Sequence, residues 1–522
     1  MFVRLKPAGG HRYLQIVESF REGPRIRQRV IATLGRLDRL QASGQVDDLA
    51  RGLARHALHV RLREEQRNGH LQARRILRLG PPLVVERLWR KLGLPEVIAQ
   101  LSQGRRFEFS LERAIFLTVL HRLFAQGSDR AAEKWKDSYR IAGAEDLELQ
   151  HLYRAMGWLG ENKDAVEDGL FAATRDLFAE LSLVFFDTTS LYFEGQGGES
   201  FGQHGHSKDH RPDLHQMVVG AALDKKGRPV ACELWPGNQA DAKALLPAVD
   251  RLQKRFKIER ACVVADRGMI SAGTIAALEE RKWSYILGAR MRRVKEVREA
   301  VLPRLGCYHK VAENLQVQEL SVEGRRYVVC LNPEEAKKDK ADREAIVASL
   351  KETLRGGAKK LVGNRGYRRY LRLKGSAAEI DWDKVKEEEQ FDGLFVLRTN
   401  LPDEAGVVAQ RYKELWRVEQ AFRTVKSVLE TRPIYHKCDD TIKGHVFASF
   451  LALVVLHEIN LRLEEREEQL EWEDVKRDLE ALAEVEVLEG ERRYWLRTEF
   501  RGAAWPVFQA VGLAAPPTAR EG

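Results

Sequence analysis

The sequence predicts an α/β protein of several domains with a mixed sheet at its centre. Its 522 residues exceed the roughly 250–300 that one hydrophobic core organises. After residue 181, short apolar runs such as LVFFD (183–187) and CVVAD (262–266) accompany helix-like segments such as AKALLPAVDRLQKRF (242–256). Strands that first neighbour one another and then alternate with helices are typical of a mixed α/β sheet.

Two regions precede this sheet. The stretches MFVRLK, HRYLQIVESF and RIRQRVIATLG alternate apolar and polar residues between turn signals, which predicts a small β-meander at 1–36. From 37 to 177 the apolar period is helical, and residues 51–80 carry eight arginines against two glutamates. We expect a helical DNA-binding region at 37–177, although an arginine-rich solvated bundle has the same composition.

The remaining boundaries follow changes of pattern. We predict the sheet at 178–290, a β-rich insertion at 291–390, a return to the sheet with a long helix at 391–463, and a helical region at 464–522. Residues 461–490 carry twelve acidic against four basic residues, which is typical of a solvated or interacting surface. The apolar run VFASFLALVVL (446–456) is too short to span a membrane and predicts a buried helix.

Composition narrows the class of protein. Lys and Arg number 87 against 77 Asp and Glu, a net charge of +10, which indicates an anionic partner. The five cysteines are widely spaced and form no C-x-x-C pair, so they indicate neither a disulfide framework nor a zinc ribbon. We therefore expect a reducing compartment, the cytoplasm.

Three carboxylates are candidates for chemistry. Asp187 and Asp266 each close a buried apolar run, where a carboxylate either caps a turn or emerges at the sheet edge to hold a divalent cation. The third is Glu419, in RYKELWRVEQAFRTVKSVLE (411–430). There, one helical stripe is apolar and the adjacent stripe is polar. The apolar stripe comprises Leu415, Val418, Phe422, Val425 and Leu429, and the polar stripe comprises Tyr412, Trp416, Glu419, Arg423 and Lys426.

Four segments together resemble DDE transposases of bacterial insertion sequences. They are VFFDTTSLYFEG, VVADRGM, DGLFVLRTN and YKELWRVEQAFRTVK. More narrowly, the chain is similar to the insertion-sequence-four superfamily, whose signature is Y-x2-R-x3-E-x6-K. Tyr412, Glu419 and Lys426 match this signature, whereas Leu415 stands at its arginine position.

The resemblance implies an RNase H-like catalytic domain at 178–290 and 391–463, interrupted by the insertion. It implies that Asp187, Asp266 and Glu419 bind two Mg²⁺ ions, for which Mn²⁺ could substitute, about 3.5–4 Å apart. The activity would be cleavage at the ends of an insertion sequence and transfer of the 3′-OH into target DNA. Double-stranded DNA, both terminal inverted repeats and target, is the expected partner, bound by a dimer at the nucleoid.

Further DNA contacts are expected around this triad. Related enzymes place the signature Tyr and Lys on phosphates, so Tyr412 and Lys426 take those roles, and Trp416 shares their face. In a continuous helix Arg423 lies within about 20° of Tyr412 and Arg417 about 140° away, so Arg423 is predicted to replace the missing arginine. The stretch KKLVGNRGYRRYLR (359–372) suggests contacts from Arg365 and Arg368, or else an exposed charged strand.

The segment HGHSKDHRPDLHQ (204–216) has two interpretations. Its four histidines could bind zinc, but no Cys or His pair completes such a site nearby. We prefer a basic loop beside the active site in which Lys208 and Arg211 face phosphates. Three alternatives remain: a nuclease of the same fold without strand transfer, a non-catalytic DNA-binding regulator, and a zinc-dependent hydrolase.

Overall fold

The computed structural model describes the chain in two compact units. The described residues are 1–22, 25–54, 56–57, 71–174, 183–256, 262–355, 369–374, 377–489 and 491–522. One unit comprises Met1–Gly80, Trp472–Trp505 and Ala514–Gly522, and the other comprises Pro81–Glu471 and Pro506–Leu513.

The chain begins with an antiparallel meander. Its strands are β1 Phe2–Ala8, β2 His11–Glu22 and β3 Arg25–Arg36, paired in the order β1-β2-β3. Helices α1 Leu37–Ala42 and α2 Gln45–Ala54 follow, and then strand β4 Leu71–Arg78. The region predicted to be helical therefore contains a strand, whose pairing partner lies near the other end of the sequence.

A helical segment comes next. Its helices are α3 Gly80–Lys91, α4 Leu94–Leu101, α5 Leu111–Phe124, α6 Asp129–Trp135, α7 Leu149–Glu161 and α8 Lys163–Ala173, with a 3-10 turn at Lys136–Ser138. Helix α5 is buried on nearly all sides, and even its polar residues Thr118, His121 and Arg122 are shielded from solvent. This helical segment therefore contains a helix that forms part of the core.

The central sheet begins with three antiparallel strands and continues with two parallel ones. In chain order the elements are β5 Leu183–Tyr192, β6 Gln216–Leu223, β7 Pro229–Pro236, α9 Asp241–Phe256, β8 Cys262–Ala265, α10 Ala272–Glu280 and β9 Ser284–Ala289. The spatial order is β7-β6-β5-β8-β9, with β8 parallel to both β5 and β9. Apolar side chains of these strands pack on α9 and α10.

The predicted insertion extends this sheet. Its elements are β10 His309–Ala312, β11 Leu315–Val322, β12 Arg325–Leu331, α11 Pro333–Arg355, β13 Leu371–Lys374, β14 Ala377–Ile380 and α12 Trp382–Glu389, with a π-helical turn at Val297–Val301 and a 3-10 turn at Leu302–Arg304. Strand β15 Leu394–Thr399 joins β9 to β12, so the sheet continues as β9-β15-β12-β11-β10. The described residues of 291–390 therefore belong to the same compact unit as the central sheet.

The helical stretch after β15 is interrupted. It consists of α13 Ala405–Lys413, α14 Trp416–Arg423 and a π-helical turn at Thr424–Val428. Helix α15 Asp439–Glu464 follows and contains the long apolar run. Among the described residues, α15 alone has the length and composition to cross a membrane, but 78% of its apolar window is buried inside the protein.

The C-terminal region differs from the predicted helical one. It contains α16 Trp472–Ala481, β16 Ala483–Glu489, β17 Arg492–Arg497, α17 Ala504–Val511 and β18 Ala519–Glu521, and its sheet has the order β18-β17-β16-β4. Glu484 and Glu486 are buried in β16, where they pair with Arg520 and Arg75. These acidic residues suggested a solvated stretch because their partners are distant in sequence.

A buried carboxylate joins α8 to the edge of the central sheet. Glu167 accepts hydrogen bonds from the backbone N–H of Cys232 at 2.7 Å and from Arg255 Nη1 at 2.9 Å. Lys163 Nζ, itself buried, lies 3.1 Å from the same carboxylate. Burial alone would lower the pKa of Lys163, but the Glu167 charge raises it above its usual value.

We predict that Glu167→Ala destabilises this unit by about 3–5 kcal/mol, because it leaves the Lys163 ammonium buried without its main counter-charge. The free energy of unfolding in urea measures the loss. Glu161→Ala is the control, since its pair with Arg105 is half-exposed at both ends, and about 1 kcal/mol or less is expected. Equal losses in the two variants would contradict the prediction.

Candidate active site

Asp187 lies in the middle of β5 and not at its end. On one side it pairs with Ala221 of β6. On the other side the parallel register runs Leu183 to Cys262 through Phe186 to Ala265, where β8 stops. Because β8 ends there, Asp187 has no strand partner among the described residues on this side of the sheet. Asp266, the residue that follows the end of β8, therefore lies next to Asp187.

The charge on Asp187 is costly at this position. Only 19% of its side chain is exposed. Burial, together with the charges of Asp266 and Asp241, raises the pKa of Asp187 to about 6, although Lys208 and the backbone N–H of Thr188 oppose the rise. Several carboxylates with one cation between them form a centre that attracts further positive charge.

Lys208 is the cation at this centre. Its Nζ lies 3.9 Å from Asp187 Oδ1 and 3.5 Å from Asp241 Oδ2, and it donates hydrogen bonds to the carbonyl oxygen and the hydroxyl of Thr188 at 2.6 and 3.0 Å. The hydroxyl of Thr188 donates in turn to Asp241 Oδ1 at 2.7 Å. Lys208 thus faces carboxylates, whereas the sequence predicted that it faces phosphates.

Asp266 is oriented by the helix that precedes Glu419. The Tyr412 hydroxyl donates to Asp266 Oδ1 at 3.0 Å. Burial raises the pKa of Tyr412, and the Asp266 charge and hydrogen bond raise it further. The ring stacks on Phe395 of β15 and reaches the carboxylate across Gly288, where a Cβ would lie 2.3 Å from the hydroxyl.

The helix with Glu419 packs as its apolar stripe predicts. The five apolar residues of that stripe are all buried: Leu415, Val418, Phe422, Val425 and Leu429. On the polar face, Trp416 is 52% exposed, and Glu419 and Arg423 are exposed as well. The helix breaks at residues 414–415, between α13 and α14, so Tyr412 and Glu419 lie on different helices.

The three predicted catalytic carboxylates do not converge as one ligand set. Throughout the described part of the chain, no group of three or more His, Cys, Asp or Glu side chains could hold a metal ion. Asp187 and Asp266 interact through their charges, and Glu419 acts on Tyr412, the hydrogen-bond partner of Asp266. Glu419 is the exposed member of the three, whereas Asp187 is largely buried.

Models of two known protein families match segments of this chain. The profile described as Transposase DDE domain matches residues 179–455, more than half of the 522 residues. The chain belongs to the DDE transposases. The profile described as IS1634 family transposase, N-terminal domain, matches residues 3–80. Together they confirm the resemblance to transposases of bacterial insertion sequences and identify the chain as a DNA transposase, a family that depends on divalent metal.

Comparisons with curated proteins and with solved structures do not extend this family assignment. No curated protein matches the transposase. Among solved structures, it is similar to a chain described as piggyBac transposase synaptic complex with hairpin DNA, with 10% identity over 77% of this chain and 79% of that one. The TM-score is 0.36, a likeness too weak to define the fold.

The other predicted DNA contacts lie in different surroundings. Lys426 Nζ donates to Asp209 Oδ1 at 2.8 Å, and Arg211 pairs with Asp213 at 2.8 Å. Arg365 and Arg368 lie outside the described residues. Tyr370, from the same stretch, is buried.

The four histidines of the segment 204–216 do not form a metal site within the described residues. The rings of His204 and His215 lie 4.2 Å apart, and the chain between them turns at His210, whose φ is 57°. This loop places Lys208 against the carboxylates.

Sequence reasoning missed Asp241. It occupies the first turn of α9, where an acidic residue is ordinary because the helix dipole favours it. Nothing in the local pattern distinguishes it from a helix-capping acid. Only the contact with Thr188 and the electrostatic effect on Asp187 place it beside the candidate catalytic residues.

We predict that Gly288→Ala reduces DNA cleavage and destabilises the protein by about 1–3 kcal/mol, because the new Cβ displaces the Tyr412 ring from Asp266. Cleavage rate and unfolding free energy are the measurements. Gly273→Ala is the control: it lies in α10, and its Cβ would meet nothing closer than 3.9 Å. Normal cleavage by Gly288→Ala would show that the Tyr412 bond has no role in activity.

Proposed function

We propose that this transposase cuts the ends of an insertion sequence and joins the released 3′-OH to target DNA with an RNase H-like catalytic domain. The observation that carries the proposal is the pairing of β5 with β8, which brings Asp187 and Asp266 to neighbouring positions. We assign the strands β7-β6-β5-β8-β9, with α14, to the RNase H-like domain that the family resemblance implies.

Asp187, Asp266 and Glu419 would hold the metal. Carboxylate oxygens are the hard ligands that Mg²⁺ prefers, and Mn²⁺ accepts the same donors. The position of Lys208, between Asp187 and Asp241, supports the fit, because these carboxylates already gather positive charge. When bound, two Mg²⁺ ions supply Lewis-acid activation of the nucleophile and stabilise the leaving oxygen.

The side chains around the triad orient it. The backbone N–H of Thr188 donates to Asp187 Oδ1 at 2.7 Å, and Tyr412 fixes Asp266. Glu419 is exposed on α14, and its charge acts on Tyr412, the hydrogen-bond partner of Asp266. Lys208 must leave the carboxylates for cations to take its place, since its ammonium lies between them.

Two phosphodiester exchanges make up the reaction. Water first attacks the phosphodiester at the transposon end and releases a 3′-OH. That hydroxyl then attacks a phosphodiester of target DNA and releases a new 3′-OH there. No covalent bond between protein and DNA forms, so Ser190 and Tyr192, which follow Asp187 on β5, need not be nucleophiles.

The partners follow from this reaction. The substrate is double-stranded DNA with the terminal inverted repeats, and the second substrate is target DNA. Two transposon ends must come together, so we propose a dimer on DNA, in the cytoplasm at the nucleoid. Trp416 and Arg423 on the exposed face of α14, together with Tyr412 and Lys426, would contact the DNA.

We expect Asp187→Ala, Asp266→Ala and Glu419→Ala each to abolish Mg²⁺-dependent cleavage of terminal-repeat DNA and to leave its binding largely intact. The measurements are release of cut ends, joined products with a target plasmid, and affinity. Asp250→Ala is the control: Asp250 is a partly exposed acid of α9 that pairs with Arg281, and this variant should cleave normally. Full cleavage by any one of the three variants would remove that residue from the triad.

We expect Arg423→Ala to weaken strand transfer and Arg417→Ala to leave it largely unchanged. Arg423 is exposed and makes no side-chain hydrogen bond or ion pair to any described residue. Arg417 instead lines a cavity with Gly227 and His457, and its guanidinium lies 5.5 Å from the Trp416 ring. The measurement is strand transfer by each folded variant. A loss of strand transfer in Arg417→Ala but not in Arg423→Ala would refute the assignment.

A further inference from the structure

Two basic residues beside the active site share one acidic partner. Lys426 Nζ lies 2.8 Å and Arg432 Nη1 lies 2.9 Å from the same oxygen, Asp209 Oδ1. The three side chains are largely shielded, with 12%, 26% and 5% exposed for Lys426, Arg432 and Asp209. A single carboxylate thus neutralises two cations that have little access to water.

Asp209 is poorly satisfied in this position. Its other oxygen, Oδ2, is buried and has no hydrogen-bond partner among the described residues. A buried acceptor without a partner has lost its hydrogen bonds to water and gained none in return, and this loss is larger when the group is charged. The next residue, His210, has a φ of 57°, in the left-handed region that disfavours a residue with a Cβ atom. The segment that inserts Asp209 is therefore held at a cost.

The surroundings suit a phosphate better than a carboxylate. The guanidiniums of Arg432 and Arg211 both lie 5.6 Å from the ring of Tyr192, the last residue of the strand that carries Asp187. Burial lowers the pKa of Lys426, and the charges of Arg432 and Lys208 lower it further, which only an anion between the cations offsets. A phosphodiester supplies that negative charge and further acceptor oxygens for an arginine.

The family resemblance already implies a phosphate contact for Lys426. We propose that Arg432 belongs to the same phosphodiester-binding subsite, and that Asp209 occupies this subsite as an internal anion which DNA displaces. The inference rests on the proposed function. The residue before Asp209 has the opposite charge and the opposite surroundings: Lys208 lies against the carboxylates Asp187 and Asp241. Adjacent residues of opposite charge in one loop thus cover both the acidic and the basic part of the site.

The exchange predicts how affinity depends on salt. When DNA displaces Asp209, the released carboxylate takes up a counter-ion, which offsets part of the counter-ion release from DNA. Asparagine at this position takes up none. The slope of log affinity against log salt should therefore become steeper by up to about 0.9, the value for one additional phosphate neutralised.

The experiment measures binding of terminal-repeat duplex DNA, by fluorescence anisotropy in EDTA, to the full-length wild type and to variants. Asp209→Asn should bind about three- to tenfold more tightly and with the steeper slope. Arg432→Gln should bind more weakly and with a shallower slope. Asp250→Asn carries the same change of net charge, removes a partly exposed partner of Arg281, and should bind as the wild type does.

Equal or weaker binding by Asp209→Asn would overturn the exchange, since it would make Asp209 a structural partner only. If Asp209→Asn does not fold, Arg432→Gln still tests the subsite. Unchanged DNA affinity of Arg432→Gln would overturn the subsite. Binding by none of the proteins would also count against it. Mg²⁺-dependent cleavage of the same duplex by the wild type tests the proposed function separately, because a protein that binds but does not cut still gives the affinity ratios.

Discussion

The parallel pairing of β5 with β8 is the constraint on which the active site depends. Its register aligns Phe186 with Ala265, so that Asp187 and Asp266 follow side by side. Strand β8 then stops while β5 continues, and the carboxylate of Asp187 gains a free side within an otherwise buried strand. A shift of the register by one residue would send Asp187 to the other face of the sheet.

Concentrating carboxylates at this gap requires compensating contacts. Burial and like charges raise the pKa of Asp187, and Lys208 and Thr188 limit the rise. Tyr412 stabilises Asp266 through a hydrogen bond that the absence of a side chain at Gly288 makes possible. Three separate segments thus contribute to the site. The Lys208 ammonium and the Tyr412 hydroxyl stabilise the charges of the two acids, and Gly288 leaves the space that Tyr412 needs.

The sheet extends well beyond the strands that carry the acids. Strand β15 pairs with both β9 and β12, and so joins the segment 291–390 to the sheet as additional antiparallel strands. The sequence predicted those strands but placed them in a separate insertion, because a strand's own residues do not specify the partner of its outer edge. For the same reason, the sequence did not predict the pairing of β4 with β16, which lie more than 400 positions apart.

The sequence by itself determined the family, the candidate acids and the buried stripe of the helix with Glu419, because a motif and a helical period depend on residues close in the chain. The RNase H-like assignment and the roles of the triad remain proposals. Only the tertiary structure decided that Lys208 faces carboxylates, that Lys426 pairs with Asp209, and that Asp241 joins the site. These contacts join segments with no common period, and charge pairing in a shielded site, not local pattern, selects them.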